Sequence, residues 1–299
     1  MDQLTNMLLS GVSTGSVYAL VALGFNVIFK STGAINFAQG EWVMMGGMVA
    51  ATAYAARLPL ALAVLCALLV VVAIGLLSER LIVRRIGKPS PLSVTLVLIA
   101  IAICSKSLVM LVLGKNPASL PGFSGSTPVL WLGMHIAPPT FWIVGITLAV
   151  MLAAHWFFER TLLGRAMRAV AAQPEAAALC GIEPRLAMAL SFGLAAGVGA
   201  LAGAIITPLT LTSFDQGTVL GFKGFSAAML GGLGSLPGAL LGGVLMGTLE
   251  ALAGGLISSH FKDAVAFVAL LLTLFLQPSG LLGRGAVEQL TVAHGFERG

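Results

Sequence analysis

The segment "GSVYALVALGFNVIFKSTGAINFAQGEWVMMGG", residues 15–47, joins two apolar runs through a polar interruption, and the second run is rich in glycine and methionine. The first run belongs to a stretch from Leu4 to Phe29, and about 20 apolar residues are enough to cross the hydrocarbon core of a bilayer. Further apolar runs occupy 60–77, 94–113, 140–158, 186–206 and 264–276. The pattern predicts a polytopic membrane protein.

The composition of the whole chain agrees with this expectation. Only 9% of its 299 residues are charged, whereas soluble domains carry about 25%, and the mean hydropathy is +1.01. Too few ionisable groups are present to cover a surface that faces water. The net charge of +5 therefore reports membrane topology and does not indicate a nucleic-acid partner.

The basic residues divide the loops into two groups. The loops after Leu77 and after Phe158 carry four Lys or Arg each, but the loops 114–139 and 207–221 share one, Lys115. Short cytoplasmic loops are enriched in Lys and Arg. We therefore expect the two arginine loops in the cytoplasm and the N-terminus in the periplasm.

The number of crossings depends on residues 222–236. Arg284 and Arg298 favour a cytoplasmic tail, and this requires nine crossings, with 222–236 as a short crossing of its own. If 222–236 only re-enters the membrane, eight crossings remain and the tail lies outside. The sequence thus predicts an all-α bundle of about eight or nine spanning segments with broken, glycine-rich helices, forming one domain over residues 1–299.

Two segments suggest an internal repeat. "FAQGEWVMMGG" (37–47) aligns with "FKGFSAAMLGG" (222–232), and each follows an irregular polar stretch. In repeat-built transporters, paired interrupted segments flank the substrate path, although a chance match and an ordinary interfacial loop are the alternatives. Glu250 is added because an ionisable group inside a span suggests a function. The candidate pathway residues are Asn36, Phe37, Gln39, Glu41, Phe222, Phe225, Ser226 and Glu250.

The same segments contain closely spaced glycines. Small residues let the backbones of membrane helices approach each other, so a bulky residue such as leucine at Gly231 is expected to impair transport while allowing assembly. The candidate helix-packing glycines are Gly46, Gly47, Gly231, Gly232 and Gly234.

The most polar block between two spans is "GRAMRAVAAQPEAAALCGI", residues 164–182, within a predicted cytoplasmic loop at 159–185. It predicts two short helices, the second starting at Pro174 and ending before a glycine. The second helix is small and weakly polar, which suits docking into a groove of another protein. A helix lying on lipid head groups is the alternative, but aromatic residues and dense Lys/Arg are missing. The candidate docking residues are Arg165, Arg168, Pro174, Glu175, Ala178, Leu179 and Gly181.

No catalytic or metal-binding motif is apparent. The three cysteines and four histidines are scattered singly along the chain, without metal-ligand spacing. "GFNVIFKS" (24–31) has Phe29 where a phosphate-binding loop needs its second glycine. We expect no catalytic residue, no metal and no bound cofactor in this chain.

Three segments, 15–47, 164–182 and "GFKGFSAAMLGGLGSLPGALLGGVLMGTLEAL" (221–252), together resemble the LivH-type inner-membrane permeases of ABC importers for branched-chain and other hydrophobic amino acids. The resemblance covers nearly the whole chain, although the family often has His where this chain has Gln39. It implies a bacterial inner-membrane location and a cargo of hydrophobic amino acids or small amide-like solutes.

The resemblance also implies partners. These are a second, homologous permease subunit, two cytoplasmic subunits that bind ATP and Mg²⁺ and hydrolyse ATP, and a periplasmic substrate-binding protein. Residues 174–181 then correspond to the coupling helix that enters the ATP-binding subunit. Two other classes stay open: an ion-coupled secondary transporter, for which Glu250 alone is thin support, and a passive amino-acid or amide channel, in which 164–181 has no role.

Overall fold

The computed structural model describes residues 2–283 except 87–89, 126–128, 132–133, 257 and 259–261. Its helices are α1 (Asp2–Thr32), α2 (Gln39–Ala55), α3 (Leu60–Leu81), α4 (Pro91–Val112), α5 (Pro138–Arg160), α6 (Leu162–Ala172), α7 (Pro174–Leu179), α8 (Pro184–Ile206), α9 (Gln216–Gly231), α10 (Leu236–Leu256) and α11 (Lys262–Leu276), with a 3-10 turn at Val83–Arg85. A short antiparallel hairpin, β1 (Val129–Trp131) and β2 (Met134–Ile136), lies before α5. The expected helical architecture is confirmed.

Six of these helices, α1, α3, α4, α5, α8 and α10, are long and apolar enough to cross a membrane. The helices α2, α9 and α11 have 17, 16 and 15 residues. At 1.5 Å per residue, 16 residues extend about 24 Å, which is less than the hydrocarbon core of about 30 Å. Length and composition of the described helices thus support six spans, and the predicted eight or nine are not confirmed.

Helix α1 lies at the centre of the bundle. Of its most apolar window, 83% is buried, compared with 22% for α3 and for α5. It packs against α10 most extensively and also against α8, α9 and α5, while α2 packs between α3, α8 and α9. The outer helices expose leucines such as Leu69 and Leu111, and these apolar faces form a surface suited to lipid.

Helices α1 and α10 approach each other backbone to backbone. A Cβ atom added at Gly247 would lie 2.3 Å from the Gly15 backbone, and one added at Gly243 would lie 2.4 Å from the nitrogen of Ala19. Lipid tails are as apolar as leucine side chains, so van der Waals contact between small residues holds membrane helices together. These glycines therefore set the distance between the two helices.

Gly46 and Gly47, two of the predicted packing glycines, serve the same purpose on α2. A Cβ atom at Gly46 would lie 2.4 Å from the Cα atom of Ala200 on α8, and one at Gly47 would lie 2.6 Å from the hydroxyl of Thr207. The close approach of α2 to α8 therefore requires small residues at both positions.

The other three predicted glycines lie where α9 turns into α10. A Cβ atom at Gly231 would lie 1.9 Å from the carbonyl oxygen of Gly238, so we now expect leucine there to disturb folding itself, in contrast to the sequence-based expectation. Gly232 and Gly234 have φ angles of 102° and 81°, a left-handed conformation that favours glycine. The nearest atom to a Cβ on Gly234 is 3.8 Å away, in Phe29. Gly234 therefore serves the turn and is not a helix-packing glycine.

The irregular segment 33–38 is buried inside the protein. Asn36 and Ala38 are fully buried, and a Cβ atom at Gly24 would overlap the side-chain amide of Gln39. Gly24 lies eight residues before the end of α1 at Thr32, or about 12 Å along the helix axis. Helix α2 therefore begins beside the last third of α1 and not at its end, because the chain folds back along it.

The second irregular stretch is shorter than the sequence suggested. Residues 207–221 were expected to form a loop, but α9 already begins at Gln216. Gly217 and Gly221 supply the reason. Their small size lets the first turn of α9 pack on Gly40, since a Cβ atom at Gly40 would lie 2.1 Å from the Gly217 carbonyl oxygen.

Loops that the charge pattern assigned to one side lie together in the structure. Ala118 and Thr212, from the two loops poor in basic residues, exchange backbone hydrogen bonds of 2.8 and 2.9 Å. Arg84 and Glu183, from the two arginine loops, approach to 3.9 Å. This agrees with the predicted grouping of the loops, and the absolute orientation of the chain remains a prediction.

The α1–α10 contact gives a first test. Gly247→Leu should destabilise the protein by about 1–3 kcal/mol or more, because the added atoms meet backbone that cannot give way. Gly145→Leu is the matched control, since a Cβ atom there meets nothing within 4 Å. Thermal aggregation of the detergent-purified protein, followed by size-exclusion chromatography, measures the difference. Equal stability of the two variants would show that the contact does not hold the helices together.

Candidate functional site

The described part of the bundle contains a buried ion pair between α9 and α10. The Lys223 ammonium lies 2.8 Å from Oε1 of Glu250, and the side chains are 11% and 9% exposed. The Tyr18 hydroxyl of α1 donates a hydrogen bond of 2.6 Å to the other carboxylate oxygen. The Lys223 ammonium also lies 5.8 Å from the centre of the Tyr18 ring. We call Tyr18, Lys223 and Glu250 the buried triad.

Glu250 was a candidate from the sequence, but Lys223 was missed. The signal was available, because Lys223 is an ionisable residue in the apolar, glycine-rich stretch "GFKGF", and such residues suggest a function by default. The pairing itself was not visible, since 27 residues separate the two partners. Only the turn between α9 and α10 brings them together.

A second buried carboxylate, Glu41, lies where α2 meets α9. Its Oε1 atom accepts a hydrogen bond of 2.9 Å from Thr218, while Oε2 has no hydrogen-bond partner within the described ranges. Gly217 makes room for it, because a Cβ atom there would lie 2.4 Å from Oε2. The contact between Glu41 and Thr218 therefore joins the start of α2 to the start of α9, the helix that carries the predicted pathway residues Phe222, Phe225 and Ser226.

Asn36 and Gln39 stabilise the start of α2. The Gln39 amide donates to the carbonyl oxygen of Ala195 on α8 at 3.0 Å and accepts from the Asn36 amide at 3.3 Å. The Asn36 side chain also accepts from the backbone nitrogen of Ala38 at 3.1 Å. Because unpaired polar groups are costly in an apolar interior, these bonds make the buried irregular segment possible.

The predicted aromatic residues form a continuous cluster. The Phe37 ring lies 6.2 Å from Phe222 and 5.7 Å from Phe225, so the two equivalent phenylalanines of the apparent repeat are in contact. Phe225 continues to Phe25 on α1, and Phe222 continues to Phe267 on α11. Ser226 does not join this network through its hydroxyl, which donates to the Phe222 carbonyl on its own helix.

The block at 164–182 forms the two short helices that its sequence predicts. Helix α6 buries Gly164, Met167 and Val170 against the bundle. The predicted docking residues Pro174, Glu175, Ala178 and Leu179 of α7 are exposed, and Leu179 is 91% exposed. Gly181 follows with φ 81° and ends the helix. An apolar side chain is thus held outward on a short, well-bounded helix.

The two predicted arginines of this block differ in their surroundings. Arg168 forms an ion pair of 2.9 Å with Glu159 at the end of α5, whereas Arg165 is exposed. Beside this pair, the Lys30 ammonium of α1 lies 5.6 Å from the centre of the Phe158 ring. The end of α1 is therefore packed against the base of the 164–182 block.

Metal binding has no support among the described side chains, because no three His, Cys, Asp or Glu residues come together there. The arrangement offers buried charges, an aromatic cluster and an exposed docking helix. These features suit solute passage and contact with a partner.

Comparison with known proteins places the chain in a class. Residues 7–274 match the family described as "Branched-chain amino acid transport system / permease component". The chain belongs to this family, whose members are permease components of transport systems. Together with the six apolar helices, membership identifies a multi-pass inner-membrane protein.

Individual relatives are similar over almost their whole length. The high-affinity branched-chain amino acid permease LivH of Escherichia coli is 33% identical, over 94% of this chain and 96% of the relative. The corresponding permease BraD of Pseudomonas aeruginosa is 33% identical over 95% and 97%. The ribose import permease RbsC of Escherichia coli is 26% identical over 90% and 84%. LivH of Escherichia coli and BraD are thus more similar to this chain than RbsC is.

The contact of Glu41 with Thr218 gives a second test. Thr218→Val should cost about 1 kcal/mol of stability, because both oxygens of a buried carboxylate then lack a partner. The same change in a Glu41→Leu background should cost almost nothing, and the double-mutant cycle isolates the interaction. Thr210→Val is the control, since its hydroxyl donates to the Ile206 carbonyl at the end of α8 and does not contact Glu41. Equal costs in both backgrounds, read from thermal unfolding, would disprove the coupling.

Proposed function

We propose that this chain is the permease subunit of an ATP-driven importer for branched-chain or related hydrophobic amino acids. A second permease subunit, two cytoplasmic ATP-binding subunits and a periplasmic binding protein complete the importer. The chain acts as a single transmembrane domain, and ATP and Mg²⁺ are bound by the cytoplasmic subunits. Family membership supports the class, and the relatives named for branched-chain amino acids support the cargo.

The observation that carries the ATP-driven mechanism is the exposed face of α7. A leucine that is 91% exposed, outside the membrane-spanning helices, has no packing role within this chain. Exposed apolar side chains on a short helix are typical of helix-in-groove recognition. The ion pair between Arg168 and Glu159 fixes the base of this block, so that a force on α7 reaches α5 and α1.

The same proposal assigns a pathway and a topology. The solute passes near the aromatic cluster around Phe37, Phe222 and Phe225, because there the irregular segment before α2 meets α9. Helices α2, α9 and α11 cross as short segments beside the six longer spans, giving nine crossings. The N-terminus is then periplasmic and the C-terminus cytoplasmic, which agrees with the grouping of the loops and with the positive charge in the arginine loops.

Ala178→Arg tests the docking helix. Ala178 is exposed on α7, and an unpaired charge that is desolvated at an interface costs several kcal/mol. Even about 3 kcal/mol weakens binding more than a hundredfold. The variant should insert and pair with the second permease but lose the ATP-binding subunits, as measured by copurification and ATPase activity. Glu175→Ala should do less, because a helix-terminal charge contributes about 0.3–1 kcal/mol.

Gln277→Arg is the matched control. Gln277 is exposed just after α11, on the proposed cytoplasmic side but outside the docking helix, so the same positive charge is added away from the interface. This variant should keep the ATP-binding subunits. Wild-type ATP hydrolysis stimulated by substrate in Ala178→Arg would show that α7 is not the coupling site.

A further inference from the structure

The buried triad is not explained by stability alone. Removing two charges from water is costly, and replacing a buried ion pair by apolar side chains is often neutral or even stabilising. Lys223 and Glu250 are nevertheless buried together among the apolar surfaces of α1, α9 and α10. Ionisable residues inside a membrane protein commonly mark the path of a substrate or an ion. We therefore searched for a charged solute that the pair could bind during transport.

A cavity is lined by residues of α1 and α10, the two helices that carry Tyr18 and Glu250. Its volume is about 520 Å³, and its wall includes Ala251, the residue that follows Glu250. Small-molecule sites range from about 300 to 1,000 Å³, so the cavity is large enough for an amino acid. The other residues of its wall are Asn6, Met7, Ser10, Gly254, Gly255 and Lys262.

The cavity combines polar and apolar groups. Asn6, Ser10 and Lys262 offer hydrogen bonds and a positive charge, while Met7 offers apolar surface. In the proposed orientation, the cavity opens toward the periplasm, because it lies between the start of α1 and the end of α10. A solute released on that side meets the cavity first and the triad deeper in the bundle.

We propose that Lys223 and Glu250 recognise the zwitterionic head group of an α-amino acid. As α9 and α10 separate, the substrate carboxylate binds the Lys223 ammonium and the substrate ammonium binds the Glu250 carboxylate. One ion pair is broken and two are formed, so no charge is left without an opposite partner in a medium of low dielectric constant. This inference rests on the proposed function and names its substrate class.

Tyr18 is a positioning residue in this scheme. Its hydroxyl binds Oε2 of Glu250, whereas Lys223 binds Oε1, so the carboxylate keeps one partner and its orientation when Lys223 turns to the substrate. The geometry selects solutes that carry both charges. Neutral amides and urea-like solutes cannot compensate the two separated side chains.

The decisive variant is the double substitution Lys223→Met/Glu250→Leu. It leaves no unpaired charge, so we expect it to assemble and to keep its ATP-binding subunits. In proteoliposomes with all subunits, uptake of radiolabelled leucine should show an unchanged KM for the loaded binding protein. Its kcat should fall about tenfold or more, because an interaction made only during passage acts on kcat. Wild-type kcat in this variant would overturn the proposal and leave the pair a structural contact.

Tyr18→Phe provides an independent measurement should the double variant fail to assemble. It keeps the ring and both charges and removes one hydroxyl group. A lower kcat at unchanged KM and unchanged copurification supports the proposal, and wild-type kcat overturns it. The wild-type complex separates the two levels of inference. If the wild-type complex neither retains ATP-binding subunits nor takes up leucine, the proposed function is wrong. If the wild-type complex does both and the variants transport as well as wild type, only the zwitterion site is wrong.

Discussion

The close approach of glycine-bearing backbones is the constraint on which the rest of this structure depends. Gly15 meets Gly247 between α1 and α10, and Gly40 meets Gly217 between α2 and α9. In a lipid environment, helices gain little from burying apolar side chains against each other, so direct backbone packing holds them together. Tight crossings leave no room for water, and charged groups beside them must find partners within the protein. The buried triad and the contact between Glu41 and Thr218 are consequences of this packing.

The sequence predicted the fold class well because a shortage of charge and runs of about 20 apolar residues have one physical explanation. The sequence did not predict where the short helices α2 and α9 begin. Helix α2 begins with the buried polar residues Gln39 and Glu41, and a helix surrounded by protein need not match the thickness of the lipid. Hydropathy therefore marks lipid-facing helices reliably, whereas α2 and α9 depend on contacts between distant segments.

The candidate site shows the same division. The repeat pattern indicated Phe37 and Phe222, and their rings are in contact, because equivalent positions of two related segments meet where those segments cross. The partner of Glu250 could not be read from spacing, since Lys223 reaches it only through the turn that Gly232 and Gly234 shape. Arg168, a predicted docking residue, forms an ion pair with Glu159, and its contact with a partner protein stays a prediction. Local patterns locate such residues, and the tertiary fold decides which partner each one binds.

Helix α1 connects the two regions to which functions are assigned. Lys30, near its end, packs on Phe158 beside the base of the 164–182 block, and Tyr18 lies twelve residues earlier, about 18 Å along the same helix. A continuous helix of 31 residues joins the two regions. Where α1 and α10 meet through glycines, few side chains interlock to resist sliding of one helix along the other. The hydrogen bond from Tyr18 to Glu250 is directional, and it weakens steeply when the two groups are misaligned. In the proposed importer, a movement that enters at α7 and displaces α1 would therefore act first on the buried triad, and α1 alone would link the docking helix to the charge pair.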